Sequence, residues 1–292
     1  MPRLPHPIPY QGSKRLLASR ILATVAGRAP FGTLYEPFAG SAAITLAAAD
    51  AGVADRYVLG DSLPELIDIW QAVIASPGAL ADGYAAIWHE QEAAGRSHFD
   101  RVRADFNAEG GAARLLYLLA RCVKNAPRFG PNGFSQSADH RRTGVRPERM
   151  RRQIESAHRL LAGRTTALAG DACETLRSAT PGDLVYLDPP WQGTTEGRDN
   201  RYHQGLARNR LIELLQDLND RDVPWLLSYD GRCGDRVYGP ALPGELGAQR
   251  LELHAGRSSQ ATLNGRDERT VESLYVSASL APSTRLAGQG AG

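Results

Sequence analysis

Apolar residues along the chain follow two periods, one typical of strands and one typical of helices. Short apolar runs bounded by turn residues predict strands at 33–38, 56–60, 165–169, 184–187, 225–229, 249–254 and 271–277. Apolar residues spaced three and four apart predict helices at 13–26, 41–49, 63–75, 78–94, 112–123, 147–161 and 206–219. Strands that alternate with helices indicate an α/β fold, with a doubly wound and mostly parallel sheet.

The middle of the chain departs from this alternation. Between the second predicted strand and residue 163 the pattern is helical, apart from a Gly-, Pro-, Ser- and Asn-rich loop at 125–146. We therefore expect residues 1–62 and 164–280 to form the two parts of one sheet domain. Residues 63–163 are expected to form an inserted helical lobe, and residues 281–292 a disordered tail. Ser62 is the predicted N-cap of the helix that follows, with Pro64 in its first turn.

Composition excludes several classes of protein. With 292 residues, 42% of them hydrophobic, the chain is long enough for a large core. Its three cysteines are isolated, and neither they nor the seven histidines have the spacing of a metal site, so we expect no disulfide framework and no metal. The N-terminus has no apolar signal core and no run reaches membrane-spanning length, which predicts a soluble cytoplasmic protein without a membrane partner.

Charge is unevenly distributed along the sequence. The formal net charge of the whole chain is only +2, but residues 121–164 hold eleven Arg and Lys residues against three acidic ones. The rest of the chain is therefore acidic on balance. Polyanions bind such basic segments through counterion release, so this segment indicates a nucleic-acid contact, with a solvated helix face as the alternative.

Two predicted strand ends have residues typical of a nucleoside-type cofactor site. The segment after the first strand, Glu36-Pro37-Phe38-Ala39-Gly40-Ser41, has small residues that let a ligand approach the backbone at a helix N-terminus. Asp61 ends the second strand, where an acidic residue commonly binds ribose hydroxyls. The first segment has a single glycine, so it is not the three-glycine dinucleotide fingerprint.

A third strand end carries the sequence Asp188-Pro189-Pro190-Trp191. The two prolines cannot continue a sheet, and they form a rigid corner that leaves the Pro189 carbonyl free to accept a hydrogen bond. Asp188 supplies a second acceptor beside it, and Trp191 supplies a flat ring. Two acceptors and a ring match the two N–H donors of an exocyclic amine on a planar base.

These motifs, in this order, resemble those of the Dam-like DNA adenine N(6)-methyltransferases. The family hallmark Asp-Pro-Pro-Tyr is similar to residues 188–191, and its Tyr/Trp-x-Gly-x-Lys motif is similar to residues 10–14. The further similarities, which extend the resemblance over roughly residues 8–277, are Phe38-Ala39-Gly40, Asp61, Gly170-Asp171, Arg257-Ser258-Ser259, Asn264-Gly265-Arg266 and Glu272-Ser273-Leu274-Tyr275.

The resemblance implies a Rossmann-like class I methyltransferase sheet with an inserted target-recognition lobe. It implies S-adenosyl-L-methionine as cofactor, and methyl transfer to N(6) of an adenine flipped out of double-stranded DNA. Its implied catalytic residues are Asp188, Pro189, Pro190 and Trp191. Its implied cofactor-binding residues are Tyr10, Lys14, Glu36, Pro37, Phe38, Ala39, Gly40, Ser41, Asp61, Ser62, Asp171 and Asp188. A cognate restriction endonuclease is compatible with this interpretation.

The basic segment is the expected DNA contact. Loop residues are expected to read base edges: Arg128, Asn132, Ser135 and Gln136. Phosphate contacts are expected from Arg141, Arg142, Arg146, Arg149, Arg151 and Arg152. Relatives carry Arg-x-Asn-x-x-Gly-x-Phe-Asn in this lobe, and only Arg128 and Gly133 match it here, so the recognition sequence is not predicted.

Two other functions remain open at this point. The catalytic motif recognises an amine rather than one base, and Trp191 replaces the family's tyrosine as in some RNA adenine methyltransferases. An RNA or cytosine N(4) methyltransferase on the same scaffold is therefore an alternative. The second alternative is a nucleic-acid-binding module without catalysis, against which the intact Gly40, Asp61, Asp188 and Pro189 argue.

Overall fold

A computed structural model describes residues 4–125, 127–190, 207–233, 236–257 and 269–280. The strands within these ranges are β1 (Phe31–Glu36), β2 (Ala54–Asp61), β3 (Phe129–Gly130), β4 (Gly133–Phe134), β5 (Thr165–Ala169), β6 (Leu184–Leu187), β7 (Trp225–Cys233), β8 (Arg236–Tyr238), β9 (Gln249–Arg257) and β10 (Arg269–Val276). The α-helices are α1 (Ala18–Ala23), α2 (Ala43–Ala51), α3 (Pro64–Ala75), α4 (Pro77–Ala94), α5 (His98–Glu109), α6 (Ala112–Arg121), α7 (Pro147–Leu161), α8 (Ala172–Thr175) and α9 (Arg208–Asp220).

The central sheet has the strand order β5-β2-β1-β6-β7-β10-β9, and the short β8 pairs with β7. The pairings from β5 to β7 are parallel, whereas β10 is antiparallel to both β7 and β9. The predicted α/β fold with a mostly parallel sheet is therefore confirmed. Because the parallel strands all run the same way, their carboxyl ends lie along one edge of the sheet.

Helices cover both faces of this sheet, which explains the unbroken apolar sequence of β6. Successive side chains of a strand point to opposite faces. Leu184 and Tyr186 pack into the core shared with α1, α2 and the inserted lobe, whereas Val185 and Leu187 pack into the core shared with α8 and α9. Both faces exclude water, so no position of the strand favours a polar residue.

The helices α3 to α7 lie between β2 and β5 in the chain, in the segment predicted to be an inserted lobe. Helix α6 is the centre of this group, and four of its leucines, Leu115, Leu116, Leu118 and Leu119, are fully buried. It packs against α3, α4 and α5. The lobe thus shares one continuous core with a face of the sheet.

Several local predictions differ from the structure. The predicted helix at 13–26 is a 3₁₀ turn at Lys14–Leu16 followed by the short α1. Ser62 does not cap α3: Leu63 is the N-cap, and no side chain caps the helix, although Pro64 does occupy its first turn. The elements α8, β8 and the hairpin formed by β3 and β4 were not predicted.

Candidate active site

The cofactor-type segments meet at the carboxyl edge of the sheet. The amide of Ala39, beyond β1, donates to the carbonyl of Gly60 in β2 (2.8 Å). The amide of Gly170, beyond β5, donates to the carbonyl of Asp61 (3.1 Å). The ends of three neighbouring strands are therefore joined by backbone hydrogen bonds.

The loop between β1 and α2 bends sharply at Gly40. Its φ of +47° suits glycine, and an added Cβ would lie 3.4 Å from the Tyr10 ring. The Gly40 carbonyl accepts from the indole of the fully buried Trp70 (3.0 Å). Within the same segment Pro37 and Ala39 are buried and Phe38 is half-buried. The structure thus brings Tyr10 against the predicted cofactor loop.

Asp61 fixes this loop from the end of β2. One carboxylate oxygen accepts from the Gly40 amide (3.1 Å) and the other from the Leu63 amide (3.0 Å). Burial raises the pKa of this carboxyl, and the backbone donors offset part of that effect. Each oxygen retains a second lone pair, so Asp61 can still accept hydrogen bonds from a ligand. Ser62 beside it is exposed.

Asp188 follows β6 and forms an ion pair with Lys14. The Lys14 Nζ lies 2.9 Å from Oδ1 of Asp188 and 3.6 Å from Oε2 of Glu272 on β10. Burial raises the pKa of Asp188, and the ammonium offsets part of this effect. For Lys14, burial lowers the pKa, but the two carboxylates outweigh it and the net shift is upward.

A hydrogen bond links the cofactor loop to this ion pair. The buried Ser41 hydroxyl donates to the Ser13 hydroxyl (2.8 Å), and Ser13 is adjacent to Lys14. Pro189 is buried and Pro190 is half-buried, whereas Trp191 lies outside the described residues. Asp188 is therefore linked to the loop at 37–42 through Lys14, Ser13 and Ser41.

Glu36, the last residue of β1, is 4% exposed. Its Oε2 accepts from the amide of Thr45 near the start of α2 (2.8 Å). Burial raises the pKa of Glu36 to about 7, the charge of Asp188 adds to the rise, and hydrogen bonds with Thr45 oppose it. Glu36 thus holds helix α2 against the end of β1.

Asp171 has a local role in the structure. It is the N-cap of α8, and it forms a capping box with Glu174 in which each side chain accepts from the other's backbone amide (2.8 and 3.3 Å). Asp171 is exposed at the carboxyl end of β5. Its predicted cofactor contact remains a prediction.

A small hairpin in the lobe carries the predicted base-contacting residues. Strands β3 and β4 pair at Phe129–Phe134, with Asn132 exposed at the turn. The Asn107 side chain on α5 accepts from the Phe134 amide (2.8 Å) and donates to its carbonyl (3.0 Å), as a neighbouring strand would. The rings of Phe106, Phe129 and Phe134 pack edge to face against one another.

The chain just before the hairpin contacts the N-terminal segment that contains Lys14. The Gln11 amide, three residues before Lys14, donates to the Asn125 carbonyl (3.0 Å), just before the hairpin. Ser135 is exposed and its hydroxyl donates to the Arg128 carbonyl (3.3 Å). Gln136, in contrast, is 8% exposed and its side-chain oxygen accepts from the Ser137 amide. This burial does not suit the base contact expected of Gln136.

The predicted phosphate contacts fall into two groups. Arg142 is engaged within the protein, since it donates to the Asn125 side chain and the Cys122 carbonyl. Arg141 makes two hydrogen bonds to the buried Asp139, and Arg151 pairs with Asp82. The second group is exposed, as is Arg141 of the first group, and it consists of Arg146, Arg149 and Arg152. The first group has internal partners that compete with phosphate.

Comparison with known proteins identifies the family. A family model described as the D12 class N6 adenine-specific DNA methyltransferase matches residues 10–280. The chain belongs to this family. The matched range includes the loop at 37–42, Asp61, helices α3 to α7 and Asp188.

Two curated relatives of this D12 class chain are similar over part of its length. The Retron Ec67 DNA adenine methylase of Escherichia coli is 28% identical over 185 residues, which is 58% of this chain and 61% of the relative. The DNA N-6-adenine-methyltransferase of Escherichia phage P1 is 25% identical over 212 residues, which is 68% of this chain and 26% of the relative. The chain thus matches less than two thirds of either relative.

Within the described ranges, no helix is long and apolar enough to cross a membrane. Across the same ranges, no group of three or more His, Cys, Asp and Glu side chains is arranged to hold a metal ion.

Sequence reasoning did not assign roles to Trp70, Asn107 or Glu272. Trp70 and Asn107 lie on helices far in sequence from the groups they bind, and their contacts have no local signature. Glu272 did carry a signal, because it is an acidic residue inside an apolar strand, Val271–Val276. A charged residue at such a position indicates either an exposed face or a buried partner, and the partner is Lys14.

Proposed function

We propose that this D12 class chain transfers a methyl group from S-adenosyl-L-methionine to N(6) of an adenine in DNA. The observation that carries the proposal is the placement of Asp188. Its carboxylate lies at the carboxyl edge of a parallel sheet, linked through Lys14, Ser13 and Ser41 to the cofactor-type loop. Ligands of α/β sheets bind at this edge.

The residues at this edge suit the proposed cofactor. Asp61 offers carboxylate lone pairs to ribose hydroxyls, and the bend at Gly40 opens the backbone beside the Tyr10 ring. The adjacent residues Glu36, Pro37, Phe38, Ala39 and Ser41 complete the proposed cofactor contact. Bound there, S-adenosyl-L-methionine supplies a methyl group activated by a positively charged sulfur.

The role of Asp188 follows from the electronic structure of adenine. The exocyclic amine is a poor nucleophile because its lone pair is delocalised into the ring. A hydrogen bond from the amine to Asp188, with a second to the Pro189 carbonyl, holds both hydrogens and directs the lone pair at the methyl carbon. The carboxylate also stabilises the positive charge that develops on nitrogen.

The transfer balances without a further reactant. The nitrogen lone pair forms the N–C bond as the C–S bond breaks, and the electron pair of that bond stays on sulfur as a thioether. The methylated amine then loses one proton to solvent. The target base must leave the duplex to reach Asp188, at a cost of a few kcal/mol, and Trp191 is the proposed stacking partner.

The exposed basic residues of the lobe are the proposed DNA contact. Arg146, Arg149 and Arg152 would bind phosphates, and the hairpin with Arg128 and Asn132 would reach base edges. The support is the net positive charge of residues 121–164 and the position of the hairpin beside the N-terminal segment of the active site.

The test compares the wild-type protein with Asp188→Asn, which keeps the shape of the side chain but not its charge. Each protein is incubated with S-adenosyl-L-methionine and with DNA or RNA. The nucleic acid is then digested to nucleosides, which are identified by mass spectrometry. We expect N(6)-methyl-2′-deoxyadenosine from DNA with the wild type, and a rate at least about 100-fold lower with D188N. Methylated cytosine, modified RNA alone, or full activity in D188N would overturn the proposal.

A further inference from the structure

Glu272 is the charged residue at the catalytic edge that the proposed chemistry does not use. It lies on β10, where a bulge between Glu272 and Ser273 interrupts the pairing with β7. Its side chain is 16% exposed. Its Oε2 is buried and accepts no hydrogen bond from any residue in the described ranges, although the Lys14 ammonium lies within ionic contact.

Three oxygen atoms of the described residues lie near the Lys14 ammonium. They are Oδ1 of Asp188 at 2.9 Å, the Gly12 carbonyl at 3.3 Å and Oε2 of Glu272 at 3.6 Å. An ammonium has three donors and ends a flexible four-carbon chain, so its position depends on such partners. Glu272 supplies a second negative charge beside the ammonium, in addition to that of Asp188.

We propose that Glu272 is a positioning residue for methyl transfer, which holds the Lys14 ammonium so that it supports one oxygen of Asp188 and leaves the other for the target amine. This inference rests on the proposed function of Asp188. Glu272 contacts neither reactant and acts through Lys14. The ammonium in turn fixes the rotation of the Asp188 carboxylate.

The charges around Asp188 make the proposal measurable. The titratable groups that face Asp188 are Lys14, Glu36, Glu272 and Tyr186, whose hydroxyl is paired with Ser228. Burial raises the pKa of Glu272; Lys14 lowers it, and the charge of Asp188 raises it further. Repulsion acts equally on both carboxylates, so neutralising Glu272 makes Asp188 easier to ionise.

The experiment measures kcat, KM for the methyl donor, and the pH dependence of kcat/KM for the wild type and Glu272→Gln. We expect kcat to fall about tenfold while KM stays within twofold, and the acidic limb of the profile to move to lower pH. Glu252→Gln is the matched control, because Glu252 lies on the adjacent β9 and pairs with the half-exposed Arg232. E252Q should match the wild type.

Each other outcome has a defined meaning. An unchanged kcat in E272Q, or a lower kcat with an unmoved acidic limb, overturns the positioning role. If E272Q does not fold, Glu272→Asp replaces it, because the charge is kept but the side chain is shorter. In E272D the charge near Asp188 is kept, so the acidic limb should not move. A lower kcat in E272D supports the positioning role, and an unchanged kcat in E272D overturns it. Absence of methyl transfer by the wild type would instead overturn the proposed function itself.

Discussion

Glu36 shows how a single buried carboxylate makes the fold sensitive to pH. Its pKa is raised to about 7 because the side chain is buried, whereas a carboxyl in the unfolded chain titrates near 4.3. Folding therefore favours the protonated form. The stability from this residue is fully present below the unfolded pKa and is lost as pH rises through about 7.

We predict that Glu36→Gln raises the free energy of unfolding at pH 8 by up to about 4 kcal/mol, the equivalent of this pKa shift. The amide oxygen still accepts from Thr45, but no ionisation penalty remains. Urea denaturation at pH 5 and pH 8 measures the effect. The stability difference between the two pH values should shrink in E36Q, and an unchanged difference would contradict the prediction.

At the residue scale, the sequence predicted those groups that follow strands. Asp61 and Asp188 could be recognised because a carboxylate after an apolar run marks the edge where ligands bind. The link between Lys14 and Glu272 could not, because it joins opposite ends of the chain. The raised pKa of Glu36 depends on burial, which no local pattern specifies.

The junction between β2 and α8 depends on the absence of a side chain. A Cβ on Gly60 would lie 2.4 Å from Oγ1 and 2.7 Å from Cγ2 of Thr175. Thr175 is 3% exposed, and its hydroxyl donates to the Asp171 carbonyl (3.0 Å), so it has little room to move. This close approach keeps α8 against the strand that ends in Asp61.

We predict that Gly60→Ala lowers the free energy of unfolding by about 1–3 kcal/mol, the usual cost of overpacking. The double variant with Thr175→Ala should recover most of this loss, because the clashing atoms are removed. Chemical denaturation of both single variants and the double variant gives the coupling energy. Additive losses would show that the two residues do not collide.

The hairpin of β3 and β4 depends on Asn107 in a similar way. We predict that Asn107→Ala lowers the hydrogen-exchange protection of the Phe134 amide about tenfold, since both hydrogen bonds to the hairpin are lost. Amides of the buried helix α6 serve as the internal control and should keep their protection. Equal loss in both places would mean that the lobe as a whole is destabilised.

At the element scale, prediction succeeded where turn residues bound an apolar pattern on both sides. The bounds of β5, β6 and α7 agree with the predicted 165–169, 184–187 and 147–161. The hairpin was hidden in a loop rich in turn residues, since it has only two residues per strand. The strand β7 extends to Cys233, beyond its apolar part, because pairing with β8 and β10 continues.

The charge of the lobe gives a prediction for the whole molecule. We predict that Arg149→Ala with Arg152→Ala weakens DNA binding and reduces the slope of log K against log salt by about 2, close to one for each lost phosphate contact. Binding titrations at several salt concentrations measure the slope.

Arg151→Ala is the matched control for these variants on the same helix. The Arg151 guanidinium already pairs with Asp82 and lies near Glu155. Its replacement should therefore change the salt slope by less than half as much as the replacement of Arg149 or Arg152 alone. A larger change in R151A than in the double variant would place the DNA on a different face of α7.

The order of the strands was beyond sequence reasoning. Alternating elements predicted the parallel part from β5 to β7, but the two C-terminal strands gave no sign of which one enters the sheet. In the structure β10, the later strand, lies between β7 and β9. Only there can it pair on both sides and bring Glu272 to Lys14.

This insertion sets the time at which the site forms during protein synthesis. The ribosome makes Glu272 long after Lys14, and β10 must emerge before it can enter the sheet beside β7. A polypeptide that stops before β10 would contain Asp188 and Lys14 but not Glu272. The ionic contact between Lys14 and Glu272 would thus form only after β10 has been synthesised.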